Sequence, residues 1–497
     1  MAAPDLHSVL RKYWGYEQFR PLQGRIVESI IGGNDVAVVM PTGGGKSLCY
    51  QLPAVVSGQT AIVVSPLIAL MADQAAQLAE MGIPAAALNS QIAWAEQQDL
   101  MRRATRGEFR LLYVSPERLL RGDFFDFLHR VPLAFFAIDE AHCISEWGHE
   151  FRPEYRQLSR LRDEFPDRPI AAFTASATQR VRHDLLRQLK LREPHKYIAS
   201  FHRKNLNYQV KLCSGDSQNR LLLAAMEVYA GSTAIIYAPT IARVGETVAF
   251  LGKNGIQAVP YHGRMENEER TRNQEIWMSD EVRVLVGTIA FGLGINKPSV
   301  RAVIHLALPK SIEQYYQEAG RAGRDGEPAD CALLWQTRDA GLLAYFIQNM
   351  KDVQEQRRAW DAYHAIRRFA EGRACRHREI CLHFGETPKW ESCGACDVCT
   401  AELEWMSAGE RRAAATARVS AQPDSALLQH MREWRRRFAR ERGVPAFMIL
   451  NDASLADLCR REPSNLSQLM EVVGIGERKA DSFGHEILSA LHQFAVR

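Results

Sequence analysis

Two kinds of apolar spacing alternate along the first two thirds of the chain. Short runs of consecutive apolar residues are separated by longer stretches in which apolar residues recur every three or four positions. Continuous runs are typical of strands buried on both faces, and the longer period is typical of helices. The runs in the first part of the chain are 36–40, 61–65, 111–115, 135–139 and 170–174. This alternation predicts a parallel sheet with crossover helices.

The same alternation restarts after about residue 205, with a second series of apolar runs. These runs are 233–237, 258–261, 284–288, 302–306 and 331–335. The chain has 497 residues, which is too many for one ordinary core. We therefore predict an α/β protein with two tandem doubly wound domains, residues 1–204 and 205–338.

The last third of the chain is predicted to be helical. Residues 339–400 form a helical, cysteine-rich domain, and residues 401–424, rich in Ala, Arg, Ser and Glu, read as a linker. Residues 425–497 form a small all-α domain, in which apolar residues share one helical face. That face consists of Leu427, Leu428, Met431, Trp434 and Phe438.

The composition is that of a soluble globular protein, with 46% hydrophobic and 24% charged residues. No apolar run is long enough to span a membrane, and the N-terminus has no secretory pattern. We expect no membrane partner. The expected location is the cytoplasm, near the nucleoid, for a bacterial protein and the nucleus for a eukaryotic one.

Basic residues are unevenly distributed, although the formal net charge is only +4. Residues 357–378 contain seven arginines against two acids, and residues 432–442 contain six against two. Such stretches can bind phosphates. They can equally be solvated helix faces, and the charge pattern alone leaves both interpretations open.

Segment 40–47 (MPTGGGKS) follows an apolar run and precedes a helical stretch, as a phosphate-binding loop does. Glycines let backbone N–H groups approach phosphate oxygens. Lys46 is predicted to reach the β- and γ-phosphates of ATP, and Ser47 to ligate Mg²⁺. Met40 stands where the general pattern has glycine. The predicted ATP-binding residues of the loop are Thr42, Gly43, Gly44, Gly45, Lys46 and Ser47.

Two further segments are predicted to complete an ATPase site. The run 135–139 ends in Asp139 and Glu140, which should lie at the carboxyl edge of the sheet beside the loop. Asp139 would hold Mg²⁺, and Glu140 would orient or deprotonate the attacking water.

Segment 317–326 (QEAGRAGRDG) contains Arg321 and Arg324, three residues apart on one predicted helix face. Together with Gln317, they would act on the transferring phosphoryl group from the second domain. The alternative is a pair of surface arginines with salt-bridge partners.

Five of the ten cysteines fall between Cys375 and Cys399. Cys393, Cys396 and Cys399 are separated by two-residue gaps, which suit one tetrahedral metal centre. We predict a structural Zn²⁺ site. Spacing leaves the fourth ligand open, and the candidates are Cys375, Cys381, His377 and His383.

In this order, the phosphate loop, the DEAH tetrapeptide and QxxGRxxR resemble the superfamily-2 helicases. Segments 139–155 (DEAHCISEWGHEFRPEY) and 290–298 (AFGLGINKP) are similar to those of the RecQ family. The resemblance implies two RecA-like domains and an ATP-dependent DNA helicase that moves 3′ to 5′ on single-stranded DNA in recombination and repair. It implies single-stranded and forked DNA as partners, with repair or recombination proteins, and it favours Cys375 as the fourth zinc ligand.

Further site residues follow from this resemblance. Tyr16, Arg20 and Gln23 match the family's adenine-binding motif, and Leu22 replaces a frequent glycine without an expected consequence. An aromatic-rich loop would couple DNA binding to ATP hydrolysis by stacking on bases. Its residues are Trp147, His149, Phe151 and Arg152. Segments 238–240 and 261–265 depart from the family pattern, which affects expected nucleic-acid contacts but not the motor.

The last domain resembles the family's HRDC domain, an accessory nucleic-acid or protein contact. Its candidate contacts are Arg435, Arg436, Arg440, Arg478 and Lys479, although a solvated helical bundle is the alternative. Long family members place a winged-helix domain after the zinc site, whereas here only residues 400–424 separate Cys399 from the last domain. This shortness raises a second hypothesis, a DNA-stimulated translocase, remodeller or annealing protein with weak unwinding.

Overall fold

The computed structural model describes most of the chain. It covers residues 5–89, 92–148, 150–291, 297–407, 425–442, 449–450, 452–475 and 477–495. Internal contacts divide the chain into two units, Met1–Met406 and Ser407–Arg497. The larger unit contains both α/β halves and the cysteine-rich region, and the smaller unit is helical. The finer domain boundaries stay predictions.

The first half contains a seven-stranded sheet in the order β3-β4-β2-β5-β6-β1-β7, and every strand pair is parallel. The strands are β1 Val36–Val39, β2 Thr60–Val64, β3 Ala85–Leu88, β4 Leu111–Val114, β5 Leu133–Ile138, β6 Ile170–Thr174 and β7 His195–Ile198. The helices are α1 Leu6–Trp14, α2 Gln23–Ile31, α3 Lys46–Ser57, α4 Ile68–Glu80, α5 Trp94–Thr105, α6 Pro116–Leu119, α7 Phe124–Leu128, α8 Pro153–Arg156, α9 Arg160–Glu164 and α10 Gln179–Gln188, with 3₁₀ turns at Ala141–Ile144 and Gln157–Ser159.

The second half contains a six-stranded parallel sheet in the order β10-β11-β9-β12-β13-β8. The strands are β8 Leu206–Leu212, β9 Thr233–Tyr237, β10 Ala258–Tyr261, β11 Val284–Gly287, β12 Val300–His305 and β13 Ala329–Trp335. The helices are α11 Ser217–Val228, α12 Ile241–Lys253, α13 Asn267–Met278 and α14 Ile312–Ala319. The predicted pair of doubly wound, RecA-like domains is confirmed.

Burial explains why continuous apolar runs predicted the central strands. In β2, Ile62 and Val64 pack into one core cluster, whereas Ala61 and Val63 pack into another on the opposite face of the sheet. A strand covered by helices on both faces needs apolar residues at every position. The strands that the runs did not predict are β3, β7 and β8, which all lie at sheet edges, and β7 and β8 carry polar residues.

The cysteine-rich region packs on β8, the edge strand of the second sheet. It comprises α15 Thr337–Gln348, α16 Val353–Glu371, α17 Arg376–His383 and a loop that contains the last three cysteines. The backbone of Tyr208 in β8 accepts a hydrogen bond from the Asp397 N–H (3.0 Å) and donates one to the Ala395 carbonyl (3.3 Å). This loop therefore pairs with the sheet at one point.

The beginning of the predicted linker belongs to the packed unit. Trp405 and Met406 are buried in the core cluster of the second sheet, and Lys211 forms a 2.7 Å ion pair with Glu402. Large apolar side chains gain about 1.5–3 kcal/mol each when they leave water. Residues 408–424 of the predicted linker lie outside the described residues.

The smaller unit is helical, as predicted. Its helices are α18 Ser425–Glu441, α19 Asp452–Arg461, α20 Leu466–Met470 and α21 Glu477–Ala495. The predicted apolar face of α18 is buried at Leu427, Met431, Trp434 and Phe438 and partly buried at Leu428. No helix within the described ranges has the length and apolar character needed to cross a membrane.

Candidate functional site: a nucleotide cleft and a metal centre

The segment between β1 and α3 adopts a conformation that depends on glycine. Gly43 and Gly45 have φ angles of +81° and +82°, which L side chains rarely adopt. A Cβ atom on Gly44 would lie 2.5 Å from Met40 Cγ. Met40 is 2% exposed, so the methionine that departs from the general pattern packs inward, against the loop. The Gly44 N–H donates to the Pro41 carbonyl (3.0 Å) within the loop. Peptide N–H groups in such a loop can bind phosphate oxygens.

Lys46 and Ser47 open α3 directly behind this loop. Lys46 Nζ donates to the Met40 carbonyl (3.3 Å), across the mouth of the loop. Ser47 Oγ accepts a hydrogen bond from Gln74 Nε2 (3.2 Å), and Gln74 Oε1 accepts one from the Tyr50 hydroxyl (2.9 Å). Gln74 was not predicted, because a lone glutamine on an amphipathic helix has no distinctive spacing.

Asp139 and Glu140 directly follow β5. Asp139 is 6% exposed, and burial, followed by the charge of Glu140, raises the pKa of Asp139 to about 7. Glu140 has a φ of 45°, an uncommon conformation for a residue other than glycine. The paired acids therefore place unfavourable negative charge beside the loop, which a bound cation would offset.

The raised pKa predicts how Asp139→Asn changes stability. Between the unfolded value of 3.8 and the folded value of about 7, the folded state binds more protons, so stability falls as the pH rises through this window. Without nucleotide or Mg²⁺, Asp139→Asn should raise the free energy of unfolding at pH 8 by up to about 4 kcal/mol.

Thermal unfolding at pH 8, 6 and 4 measures this effect. The gain should shrink as the pH falls through 7 and approach zero near pH 4, while ATPase activity is lost at every pH. An equal gain in stability at pH 8 and pH 4 would contradict the raised pKa.

A chain of hydrogen bonds connects the acids to the second half of the unit. His142 Nδ1 lies 3.3 Å from Glu140 Oε2 and 3.0 Å from Thr174 Oγ1. Thr174 Oγ1 donates to the Ser176 carbonyl (3.1 Å). Ser176 Oγ accepts from Gln317 Nε2 (3.0 Å), and Gln317 lies in α14. The acids and the predicted arginine segment are therefore joined by a series of polar contacts that includes the backbone of Ser176.

Arg321 and Arg324 follow α14, and Arg324 packs against the phosphate loop. Arg321 is 9% exposed, and the stem of Arg324 lies so close to Gly43 that an added Cβ there would be 3.4 Å from Arg324 Cγ. Burial, followed by the charge of Arg321, lowers the pKa of Arg324 to about 9, which leaves it charged at neutral pH. The alternative of two surface arginines is wrong for Arg321, which is buried.

The predicted adenine-binding residues lie next to the same loop. Gln23 Nε2 donates to the carbonyls of Gly45 (3.2 Å) and Gly44 (3.4 Å), and Arg20 Nη1 donates to the carbonyl of Gly43. Tyr16 is 54% exposed, with its ring free for stacking. The amide and guanidinium groups therefore bind the loop backbone.

Leu22 has a structural consequence that was not expected. Its φ of 70° and ψ of −24° place it in the left-handed region, at the N-terminus of α2. A non-glycine residue in this conformation costs roughly 1–2 kcal/mol. The glycine that is frequent at this position would avoid that strain.

The aromatic-rich loop lies against the helices α10 and α16. Trp147 is 38% exposed; the guanidinium of Arg180 stacks over its ring, and the Cζ atom of Arg358 lies 5.5 Å from the ring centroid. Phe151 contacts the guanidinium of Arg156 (5.5 Å), and Arg152 Nη1 donates to the Pro66 carbonyl (3.3 Å). His149 lies outside the described residues.

Four thiols converge where the metal centre was predicted. The Sγ atoms of Cys375, Cys393, Cys396 and Cys399 all lie within 4.8 Å of one another. Four sulfurs at this separation suit tetrahedral Zn²⁺. Cys381, another candidate for the fourth ligand, lies outside this group. Burial raises the pKa of its thiol to about 12. His377 is engaged elsewhere, because its Nε2 lies 2.9 Å from the Leu206 carbonyl.

Comparison with known proteins agrees with this arrangement. Family models match the DEAD/DEAH box helicase domain (residues 20–185), the helicase conserved C-terminal domain (217–326), the RecQ zinc-binding domain (337–400) and the HRDC domain (424–491). The protein called ATP-dependent DNA helicase RecQ in Bacillus subtilis is 30% identical in an alignment that covers 98% of this chain and 98% of that protein. The chain belongs to the RecQ helicase family.

Other RecQ relatives match over a shorter part of their length. The ATP-dependent DNA helicase RecQ of Haemophilus influenzae is 42% identical over 80% of this chain, which spans 64% of that relative. The chain likewise spans 62% of the Pasteurella multocida relative, which is also 42% identical.

Two solved structures, both under 25% identical, support the fold. The DUF1998 helicase MrfA bound to DNA has a TM-score of 0.57 at 18% identity and covers 68% of this chain and 52% of its own. The Mycobacterium smegmatis helicase Lhr bound to ssDNA and AMP-PNP has a TM-score of 0.53 at 19% identity, covering 74% and 58%.

The HRDC region of this RecQ protein presents part of its predicted basic set to solvent. Arg436 and Arg440 are exposed on α18, and Lys479 is half-buried. Arg435 Nη1 donates to the Leu450 carbonyl (2.8 Å), so its guanidinium stabilises the bundle. The side chain of Arg478 lies outside the described residues.

Proposed function

We propose that the protein is an ATP-dependent DNA helicase that hydrolyses ATP in the cleft between its two α/β halves. The observation that carries this proposal is the meeting of the phosphate loop and the arginine segment, where the Arg324 stem packs against Gly43. An NTPase that works as a motor needs such a divided site, because closure and opening of the cleft then follow the state of the nucleotide.

Binding of ATP is assigned to the first half. The loop glycines would direct N–H groups at the phosphates, and Lys46 would leave the Met40 carbonyl to reach the β- and γ-phosphates. Tyr16 offers an exposed ring for the adenine, and Arg20 and Gln23 would hold the loop in shape. Ser47 and Asp139 are the residues that would hold Mg²⁺, which when bound neutralises phosphate charge.

Hydrolysis is assigned to groups from both halves. Glu140 would accept a proton from the attacking water and keep it in line with the γ-phosphate. Arg321 and Arg324 would stabilise the charge that develops on the phosphoryl oxygens. Gln317, through its hydrogen bond to Ser176, would couple closure of the cleft to the positions of Asp139 and Glu140.

DNA is assigned as the nucleic-acid partner, with movement from 3′ to 5′ on a single strand. The choice of DNA follows the RecQ relatives, which are called DNA helicases, and the direction follows the family resemblance. Trp147, Phe151 and Arg152 would supply the stacking and phosphate contacts that unpaired strands need. We place the activity in DNA recombination and repair, with repair proteins as further partners, in the cytoplasm of a bacterial cell or the nucleus of a eukaryotic one.

Strand separation on duplexes with one single-stranded tail tests the direction of movement. The protein should open a short duplex that carries a 3′ single-stranded tail in an ATP-dependent reaction, and should fail on the same duplex with a 5′ tail. A blunt duplex serves as the control. Preference for the 5′ tail would contradict the proposed direction, and equal opening without ATP would contradict the motor.

The second candidate function is DNA-stimulated ATP hydrolysis without efficient unwinding. It is favoured by the short connection after Cys399, where residues 400–424 leave no room for a winged-helix domain. The protein would then move along DNA, anneal strands or displace bound proteins. Duplexes of increasing length separate the two candidates, because robust ATP-driven opening of the long ones excludes weak unwinding.

A further inference from the structure

Arg203 lies in the segment that connects the two α/β halves, between the end of β7 at Ile198 and the start of β8 at Leu206. It belongs to none of the motifs singled out in the sequence. Its side chain is half-buried and points into the cleft. A residue in the connecting segment can contact both halves at once.

The guanidinium of Arg203 donates to backbone carbonyls of both halves. Nη1 donates to the carbonyl of Thr42 in the phosphate loop (3.0 Å) and to that of Gly320 (3.4 Å). Nη2 donates to the carbonyls of Ala322 (3.2 Å) and Gly323 (3.0 Å). One planar group therefore joins the loop to the turn that follows α14.

That turn carries the two arginines proposed to act on the phosphoryl group. Arg321 lies between the carbonyls of Gly320 and Ala322, and Arg324 directly follows Gly323. The fit is tight on the loop side too, because a Cβ atom on Gly320 would lie 3.1 Å from Thr42 Oγ1. The position of the turn relative to the loop is therefore fixed by Arg203 and by direct packing.

The remaining contacts keep the turn in the second half. Asn205 Nδ2 donates to the carbonyls of Gly323 (2.7 Å) and Glu327 (2.9 Å), both in that half. Of the Arg203 contacts just named, the bond to Thr42 is the one that crosses to the first half. Because the guanidinium has acceptors in both halves, opening of the cleft must break its bonds on one side, and closure must form them again.

We propose that Arg203 is a positioning residue for ATP hydrolysis, which aligns the turn bearing Arg321 and Arg324 with the phosphate loop when the cleft closes. It acts through backbone carbonyls and does not touch the nucleotide. Arginine suits this role because its planar fork donates in several fixed directions, whereas the single ammonium of lysine cannot span the same acceptors.

Arg203→Lys tests the proposal, since it keeps the charge and loses the fork. We expect the kcat of DNA-stimulated ATP hydrolysis to fall by about 10- to 100-fold, because small misplacements of reacting groups have effects of this size. The KM for ATP, the affinity for ADP and the thermal unfolding midpoint should stay near their original values. The matched control is Lys204→Ala, which removes the neighbouring exposed charge and should change none of them.

A double variant distinguishes positioning from a general structural role. In an Arg324→Ala background, Arg203→Lys should reduce kcat by a smaller factor than in the original protein, because only Arg321 is then left to be misplaced. Multiplicative losses would overturn the proposal, as would an unchanged kcat in Arg203→Lys. A parallel loss of ADP affinity would assign Arg203 to direct phosphate contact instead. Arg203→Gln, which keeps one donor, provides a second measure of kcat if the lysine variant unfolds.

The inference rests on the proposed ATP hydrolysis, and the two can fail separately. If Lys46→Ala hydrolyses ATP normally, the proposed site is wrong. If Lys46→Ala is inactive and Arg203→Lys has the original kcat, the site stands and only the positioning role is wrong.

Discussion

Replacement of Lys46 with alanine is expected to abolish ATP hydrolysis while binding of single-stranded DNA survives. Lys46 opens α3 behind the phosphate loop, and its ammonium lies 3.3 Å from the Met40 carbonyl at the loop's mouth. Its loss removes a positive charge from the position of the β- and γ-phosphates. Removal of one such group costs about 10²- to 10³-fold or more in rate. The proposed DNA contacts, among them Trp147, lie outside the loop.

The measurement is steady-state ATP turnover with saturating single-stranded DNA, together with the dissociation constant for the same DNA at fixed salt. Lys253→Ala, at the exposed end of α12, removes a lysine far from any proposed contact and should leave both quantities unchanged. Normal turnover in the Lys46 variant would sink the assignment of the nucleotide site. If the Lys46 variant lost both ATP turnover and DNA binding, the substitution would have disrupted the fold beyond the nucleotide site.

Replacement of Cys396 with serine is expected to remove the metal and to destabilise the region around β8. Cys396 is 0% exposed, and its neighbours Ala395 and Asp397 form backbone hydrogen bonds with Tyr208. Metal binding to a structural thiolate site contributes folding free energy directly. Without a fourth thiolate, the loop should lose its fixed shape, and the thermal unfolding midpoint of the larger unit should fall by several degrees or more.

Elemental analysis measures the metal, and we expect close to one zinc per chain for the original protein and close to none for the variant. Cys381→Ala is the matched control, since Cys381 is equally buried but lies outside the group of four sulfurs. It should keep its zinc. A fully folded Cys396 variant with an unchanged midpoint, or a zinc-free original protein, would contradict the structural role of the site.

Sequence patterns were sufficient where one local segment carries the whole signal. The phosphate loop, the acids after β5 and the three closely spaced cysteines are contiguous, and the physics of each depends on residues a few positions apart. The central strands were equally predictable, because burial on both faces leaves no polar position. The fourth cysteine needed the family resemblance, since Cys375 lies 18 residues before Cys393.

The features that were not predicted depend on contacts between distant segments. Arg203 and Gln74 act through partners on other elements, and neither the spacing nor the chemistry of their neighbours marks them. The edge strand β8 mixes polar and apolar residues, so it gave no continuous run. The left-handed conformation of Leu22 could not be predicted from the sequence either, because leucine has no preference for a positive φ.

The backbone pairing of Tyr208 with the zinc loop has a consequence for solubility. β8 is the outermost strand of its sheet, and an outermost strand offers unpaired N–H and C=O groups to strands of other molecules. The loop occupies the Tyr208 N–H and C=O, and a metal bound by the four thiolates would hold the loop there. Oxidation of the thiols or chelation of the metal would expose the backbone groups of this strand. We therefore expect the protein to aggregate after metal loss while the nucleotide site is still folded.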